Sequence, residues 1–284
     1  MPVTPFQALA CPLDGDPLTH VDTAWRCPAG HSFDIARQGY THLLPVQNKR
    51  SRNPGDSKEM VAARRNFLNG GFYQPIADAV NRAVLADAPG EGMLSCLDAG
   101  CGEGYYLRQL AAAAGERQTL ELLGVDISKW AVLAAAKQDK RPAWVVGTNA
   151  RLPVLPGSVD RVLCLFGFPV YSEFARVLKP GGQLLQVDAG PWHLRELREI
   201  IYPTLKPEKN EDVVTPEGFT TLETTTERFP LELTSQEQIS DLLAMTPHLY
   251  RASAEGIERA SALDSLAVTV EVRLTRSVRT GLQG

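Results

Sequence analysis

A chain of 284 residues, 44% apolar and 22% charged, can bury one full α/β core and still carry a smaller module. No apolar run approaches the roughly 18 residues that span a bilayer, and no basic-then-hydrophobic secretion signal opens the chain, so a soluble cytoplasmic protein is expected. The net charge of −4 speaks against a generally basic nucleic-acid binder. Five cysteines, with Cys101 and Cys164 at expected core or loop positions, point to a reducing compartment rather than a disulfide framework.

Residues 1–45, rich in Pro, Gly and Asp, form an expected N-terminal module. Cys11-Pro12-Leu13-Asp14 followed by Cys27-Pro28-Ala29-Gly30-His31 has the spacing of a zinc knuckle or ribbon with one ligand changed. Cys11, Asp14, Cys27 and His31 are candidate ligands of a structural Zn²⁺. Asp14 is the harder oxygen donor, and Asp16 is near enough to compete for its role. The alternative is a module without metal, in which Cys11 and Cys27 are small buried hydrophobes.

Residues 46–90 read as a basic linker and two helices. From Lys49 to Arg65 there are six basic and two acidic residues, a net +4, so against the chain's −4 the remainder carries −8. A basic stripe on an acidic body suits phosphate, which makes Lys49, Arg50, Arg52 and Arg65 candidate RNA contacts. The alternative is a solvated helix face. Asp56 and Glu59 have the spacing of a capping box. In the helix that follows, Met60, Val61, Phe67 and Leu68 share one face with Arg64 in its middle, so that guanidinium needs a partner or a cleft. A second helix starts near Pro75 and turns Ile76, Val80 and Val84 inward.

Residues 91–284 read as alternating strands and helices. Leu94 to Leu97 suits a short buried strand, and Tyr106 to Ala114 a helix. Between them lies Asp98-Ala99-Gly100-Cys101-Gly102-Glu103-Gly104, a loop that brings backbone close to a ligand at a helix N-terminus. Its G-x-G-x-G spacing led by an acid resembles motif I of class I S-adenosylmethionine (SAM) methyltransferases. That resemblance implies a Rossmann-like α/β domain with a seven-stranded mixed sheet. A second strand ends in Asp126, an acid placed to accept both ribose hydroxyls, and Ser128 caps the next helix. Asn149-Ala150 resembles the adenine-contacting loop of that class, and Ser158 to Phe166 its fourth strand. Leu178 to Gly182 turns into a fifth strand, Gln183 to Val187, before a helix from about Trp192 to Tyr202. Lys206 to Pro230 reads as extended chain or loop, and Thr234 with Glu237 as another capping box. The alternation from Ser265 to Leu274 marks a late strand, expected to be the antiparallel seventh.

Taken together, Arg26 to Asp34, Gly39-Tyr40, Asn48 to Asp56, Ala63 to Leu68, Tyr73-Gln74-Pro75, Asp98 to Tyr106, Gly190 to Leu194 and Met245-Thr246-Pro247 resemble the 23S ribosomal RNA (guanine-N1)-methyltransferases. The family has Cys-x-x-Cys where this chain has Cys11 to Asp14. The resemblance implies SAM contacts at Tyr73, Tyr106, Leu107 and His193, and a homodimer. It also implies methylation of N1 of one guanine in a domain II hairpin loop. Such a base must sit in a loop or be flipped out, and Phe166 and Phe168 are candidates to stack on it. After Phe166 the chain runs Gly167-Phe168-Pro169 rather than the Asn/Asp-Pro-Pro-Tyr of amino methyltransferases, and no general base is singled out. Two other readings are a small-molecule methyltransferase and a non-catalytic SAM- or RNA-binding protein. The Cys/His module and basic linker speak against the first.

Overall fold

The computed structural model describes residues 3–48, 51, 53–88, 92–115, 118–205 and 215–280. The N-terminal segment folds as strands of three residues each: β1 (Val3–Pro5), β2 (Thr19–Val21), β3 (Ala24–Arg26), β4 (Ser32–Asp34) and β5 (Tyr40–His42). Two helices follow, α1 (Lys58–Asn69) and α2 (Gln74–Leu85). Then come β6 (Gly92–Ala99), α3 (Tyr105–Ala113), β7 (Gln118–Asp126), α4 (Lys129–Gln138), β8 (Ala143–Val146), β9 (Val159–Leu165), α5 (Tyr171–Val177) and β10 (Leu178–Ala189). The chain continues through α6 (Arg195–Ile201), β11 (Phe219–Leu233), α7 (Gln236–Ala244), α8 (Ala254–Ser261) and β12 (Leu266–Arg279). No helix among the described residues is long and apolar enough to cross a membrane.

Strands β6 to β12 lie in the order β11-β12-β10-β9-β6-β7-β8, the expected seven. All pairings from β10 to β8 are parallel, and β12 runs antiparallel to both β10 and β11. From β6 the chain steps outward to β7 and β8, then returns to the other side of β6 for β9 and β10. This reversal makes the carboxyl ends of β6 and β9 a topological switch point, where open α/β sheets hold their ligands.

The sheet has nine strands because the N-terminal segment adds two. β5 runs parallel to β8 and covers its edge. β1 pairs with Leu120 to Leu122 of β7, on the edge whose continuation from Leu123 belongs to β8. Only β2, β3 and β4 form a sheet of their own. Phe6, Leu9 and Leu43 accordingly pack with Val125, Val145 and Val154 in one buried cluster.

Helix ends differ from the sequence reading in two places. α1 is capped by Ser57, whose Oγ accepts from the Met60 amide at 3.3 Å, while Asp56 turns to Arg64. α7 is capped by Ser235 rather than Thr234, whose amide donates instead to Gln238. In each case the neighbour is taken up elsewhere, Asp56 by Arg64 and Thr234 by Gln238, which leaves the serine to cap. On α2, Ile76, Val80 and Val84 are buried as expected.

Candidate active site and metal centre

The loop after β6 owes its path to three left-handed glycines, with φ of +109° at Gly100, +54° at Gly102 and +81° at Gly104. Gly104 is also a packing residue: a Cβ there would lie 2.5 Å from the Trp144 ring, which also fills the gap beside Gly124. Around Gly100 a Cβ would meet nothing within 4 Å, so the open side of the loop is there. Leu107 is wholly buried in the core, so only its backbone faces this end of α3, where the first helical amides have no intrahelical acceptor.

Asp98, 1% exposed at the end of β6, carries an Oδ1 without a hydrogen-bond partner, and the buried Tyr106 hydroxyl also lacks one. Burial, with the Asp126 carboxylate as a smaller contributor, pushes the Asp98 carboxyl up to about 8. Asp126 accepts the Gly102 amide at 2.9 Å and the Ser128 amide at 2.7 Å, which ties the ends of β6 and β7 together. The Asn149 side chain donates to the Ala99 carbonyl at 3.0 Å, bringing the loop before β9 to the same place. Ala150 beside it is exposed.

Tyr73, at the start of α2, and His193, after β10, meet across 120 residues of sequence, with Tyr73 Oη 3.4 Å from His193 Nε2. His193 Nδ1 accepts the Glu271 amide at 3.3 Å, so the ring proton sits on Nε2 and points at Tyr73. Burial pushes the His193 pKa down to about 4, leaving the ring neutral near pH 7, and raises that of Tyr73. Phe166 completes the group, its ring centroid 6.3 Å from Tyr73 and 5.9 Å from His193. It is a non-glycine residue at φ +53° and is 41% exposed; Phe168 beyond it is 88% exposed. A non-glycine residue held at positive φ stores backbone strain, and such strain clusters at functional sites.

Beside His193, the Trp192 ring is flanked by Arg195 at 4.4 Å and Arg228 at 5.0 Å, an arrangement no sequence motif marks. Arg228 comes from β11 and also pairs with the buried Glu271 at 3.5 Å. Adjacency to His193 could have flagged Trp192, but nothing local could have placed Arg228. Arg65 is exposed on α1, whereas Lys49, Arg50 and Arg52 lie outside the described residues.

In the N-terminal segment the donor atoms of Cys11, Asp14, Cys27 and His31 all lie within 4.8 Å of one another. His31 Nδ1 is 3.5 Å from Cys11 Sγ, 3.3 Å from Cys27 Sγ and 2.9 Å from Asp14 Oδ2. A tetrahedral ion with bonds of about 2.0–2.3 Å needs edges of roughly 3.3–3.8 Å, so the donor set fits Zn²⁺ with little movement. Asp16 is not a member of the cluster; its amide donates to Asp14 at 3.0 Å and orients that carboxylate.

Sheet order, glycine loop and partnerless acid define a class I SAM-dependent methyltransferase that carries an N-terminal zinc-ribbon module. Residues 96–182 match the family described as Methyltransferase domain, and residues 9–52 the family described as RlmA, N-terminal. A protein of Micromonospora griseorubida, provisionally named a 23S rRNA (guanine-N1)-methyltransferase, is 38% identical over 94% of this chain and 96% of its own. The 23S rRNA (guanine(748)-N1)-methyltransferase of Streptomyces fradiae is 36% identical over 68% of this chain and 67% of its own. A provisionally named relative from Bacillus subtilis is 30% identical over 86% of each chain. The chain belongs to the 23S rRNA (guanine-N1)-methyltransferase family.

Proposed function

We propose that this enzyme methylates N1 of a guanine in a domain II hairpin loop of 23S rRNA. The observation that carries the reading is the half-exposed Phe166 ring beside the neutral Tyr73–His193 pair, just after β9 and β10, with Phe168 exposed two residues on. An unstacked purine has a face to lay against such rings.

Asp98 and the Tyr106 hydroxyl would take the cofactor's ammonium, Asp126 its ribose hydroxyls, and Asn149 with Ala150 its adenine edge. The backbone of Gly100, Gly102, Gly104 and Leu107 would line its amino-acid end. Bound SAM supplies an already activated methyl group. The chain's own task is then to hold guanine N1 in line with that methyl and to exclude water. His193 is no base for the N1 proton, because Nδ1 is committed to the Glu271 amide and Nε2 already carries hydrogen. Its work is to fix the Tyr73 hydroxyl, which accepts from Nε2 and keeps its own proton for a ligand. Lys49, Arg50, Arg52 and Arg65, with the zinc module, would hold RNA phosphates.

The deciding experiment uses 23S rRNA from a strain lacking this gene. The RNA is incubated with protein and SAM, and stops in primer extension are mapped. One new stop at a domain II guanine is expected, because an N1 methyl blocks the pairing edge. No stop despite measured SAM binding would shift the substrate to a small molecule or another RNA.

A further inference from the structure

Arg64 stands on the inner face of α1 between Val61 and Phe67 with a quarter of its side chain exposed, so the donors it does not spend on the protein open outward. Two of its donors have partners, since Nη1 donates to Asp56 and Nη2 to the Met245 carbonyl at 3.1 Å. A guanidinium has five. The same Nη1, with Cδ, lies 3.7 Å from where a Cβ on Gly102 would be, and nothing else comes within 4 Å of that point. Arg64 therefore covers the middle of the glycine loop. Its charge is felt by Asp126 on one side and by Glu103 and Tyr106 on the other. The neighbouring cation, Arg108, is taken up by Glu103 at 3.1 Å and Asn69 at 3.0 Å.

We propose that Arg64 binds the α-carboxylate of the cofactor's amino-acid end, a role that rests on the SAM reading above. That end carries an ammonium and a carboxylate on one carbon. A site offering only Asp98 would pair the first and repel the second. Arg64 supplies the missing cation over the middle of the loop, at Gly102, and Asp56 holds it there. Ser128 fixes this arrangement by donating to the Asp56 carbonyl at 2.7 Å. A purely structural ion pair would satisfy the Asp56 contact equally well, but it would not depend on the ligand's carboxylate.

The test compares S-adenosylhomocysteine with its decarboxylated analogue, in which a propylamine replaces the amino-acid end, by titration calorimetry on the full chain. Wild type is expected to favour the carboxylate-bearing ligand by about tenfold or more, the worth of a charge-assisted pair. Arg64→Met should weaken S-adenosylhomocysteine to the level of the analogue while leaving the analogue's affinity within about twofold, and Arg64→Lys should restore part of the difference. Equal weakening of both ligands in Arg64→Met would overturn the proposal. So would a wild type that does not distinguish them, whether or not either variant folds. A wild type that binds neither ligand would instead remove the SAM reading, and this inference with it.

Discussion

At Gly104 a φ of +81° coincides with a Trp144 ring atom 2.5 Å from the position of an added Cβ, whereas at Gly100 a φ of +109° coincides with open space. Backbone strain costs about 1–3 kcal/mol at either site, but only Gly104→Ala adds overpacking, roughly 1–3 kcal/mol more. Urea unfolding should therefore find Gly104→Ala the less stable of the two. Titration with S-adenosylhomocysteine should find Gly100→Ala folded but weakened in binding, because its methyl would stand in the cleft. Asp98 supports a pH-dependent expectation. With its carboxyl raised from 3.8 to about 8, the free protein at pH 7 holds a proton that the unfolded chain releases. The stability this contributes is greatest at low pH and is lost as pH rises through about 8. A ligand ammonium reverses the preference by favouring the carboxylate. Binding at pH 7 should thus release close to one proton, seen in calorimetry as a dependence on buffer ionisation enthalpy. Affinity should climb with pH and level off above about 8. Asp98→Asn should abolish both effects; proton release unchanged in that variant would place the titrating group elsewhere.

Among the elements, those governed by local rules were legible in the sequence. β6, the glycines and α3 follow one another within 22 residues, from Gly92 to Ala113, and each is dictated by its own residues. β12 shows its burial alternation directly, with Val268, Val270, Val272 and Leu274 inward. β11 could be read only as extended chain or loop, because its Thr- and Glu-rich run from Thr220 to Glu227 is largely exposed and has no apolar rhythm. β1 and β5 are three residues long, too short for any periodicity, and pair with partners more than 100 positions away. The site divides in the same way. The acids at strand ends were readable, but Arg64 meets Met245 across 181 residues and Trp192 meets Arg228 from another strand. The caps were misplaced by one residue because adjacent side chains both suit a first turn, and contacts away from the cap position decided between them: the ion pair to Arg64 removed Asp56, and the bond to Gln238 engaged Thr234. The assignment is checked by Ser57→Ala, which should lower the stability of the folded chain by about 1 kcal/mol in urea unfolding. A change near zero would mean that Asp56 caps α1 after all.

For the molecule as a whole, the question is whether the zinc module and the methyltransferase sheet unfold together. Cys11 and Cys27 belong to the same buried cluster as Leu97, Val125 and Val154, and β5 closes the edge of β8. Losing a bound metal would leave the Cys11 and Cys27 thiols unligated in a cluster that also holds Leu97 and Ala99 of β6 and Val125 of β7. Removing zinc with a chelator should consequently lower the melting temperature of the entire chain in a single transition, as expected when metal affinity is folding free energy. An independent module would instead give a separate early step, with the main transition unmoved. Two variants sharpen the comparison. Asp14→Cys offers a softer donor at the same position and should slow zinc loss to the chelator, without altering affinity for S-adenosylhomocysteine. A chain lacking residues 1–45 would expose the β8 edge and strip Phe6, Leu9 and Leu43 from their cluster. It should fail to give a soluble, cooperatively unfolding protein. If that truncated chain folds and binds S-adenosylhomocysteine normally, the two parts are separable, and the zinc site serves the RNA side alone.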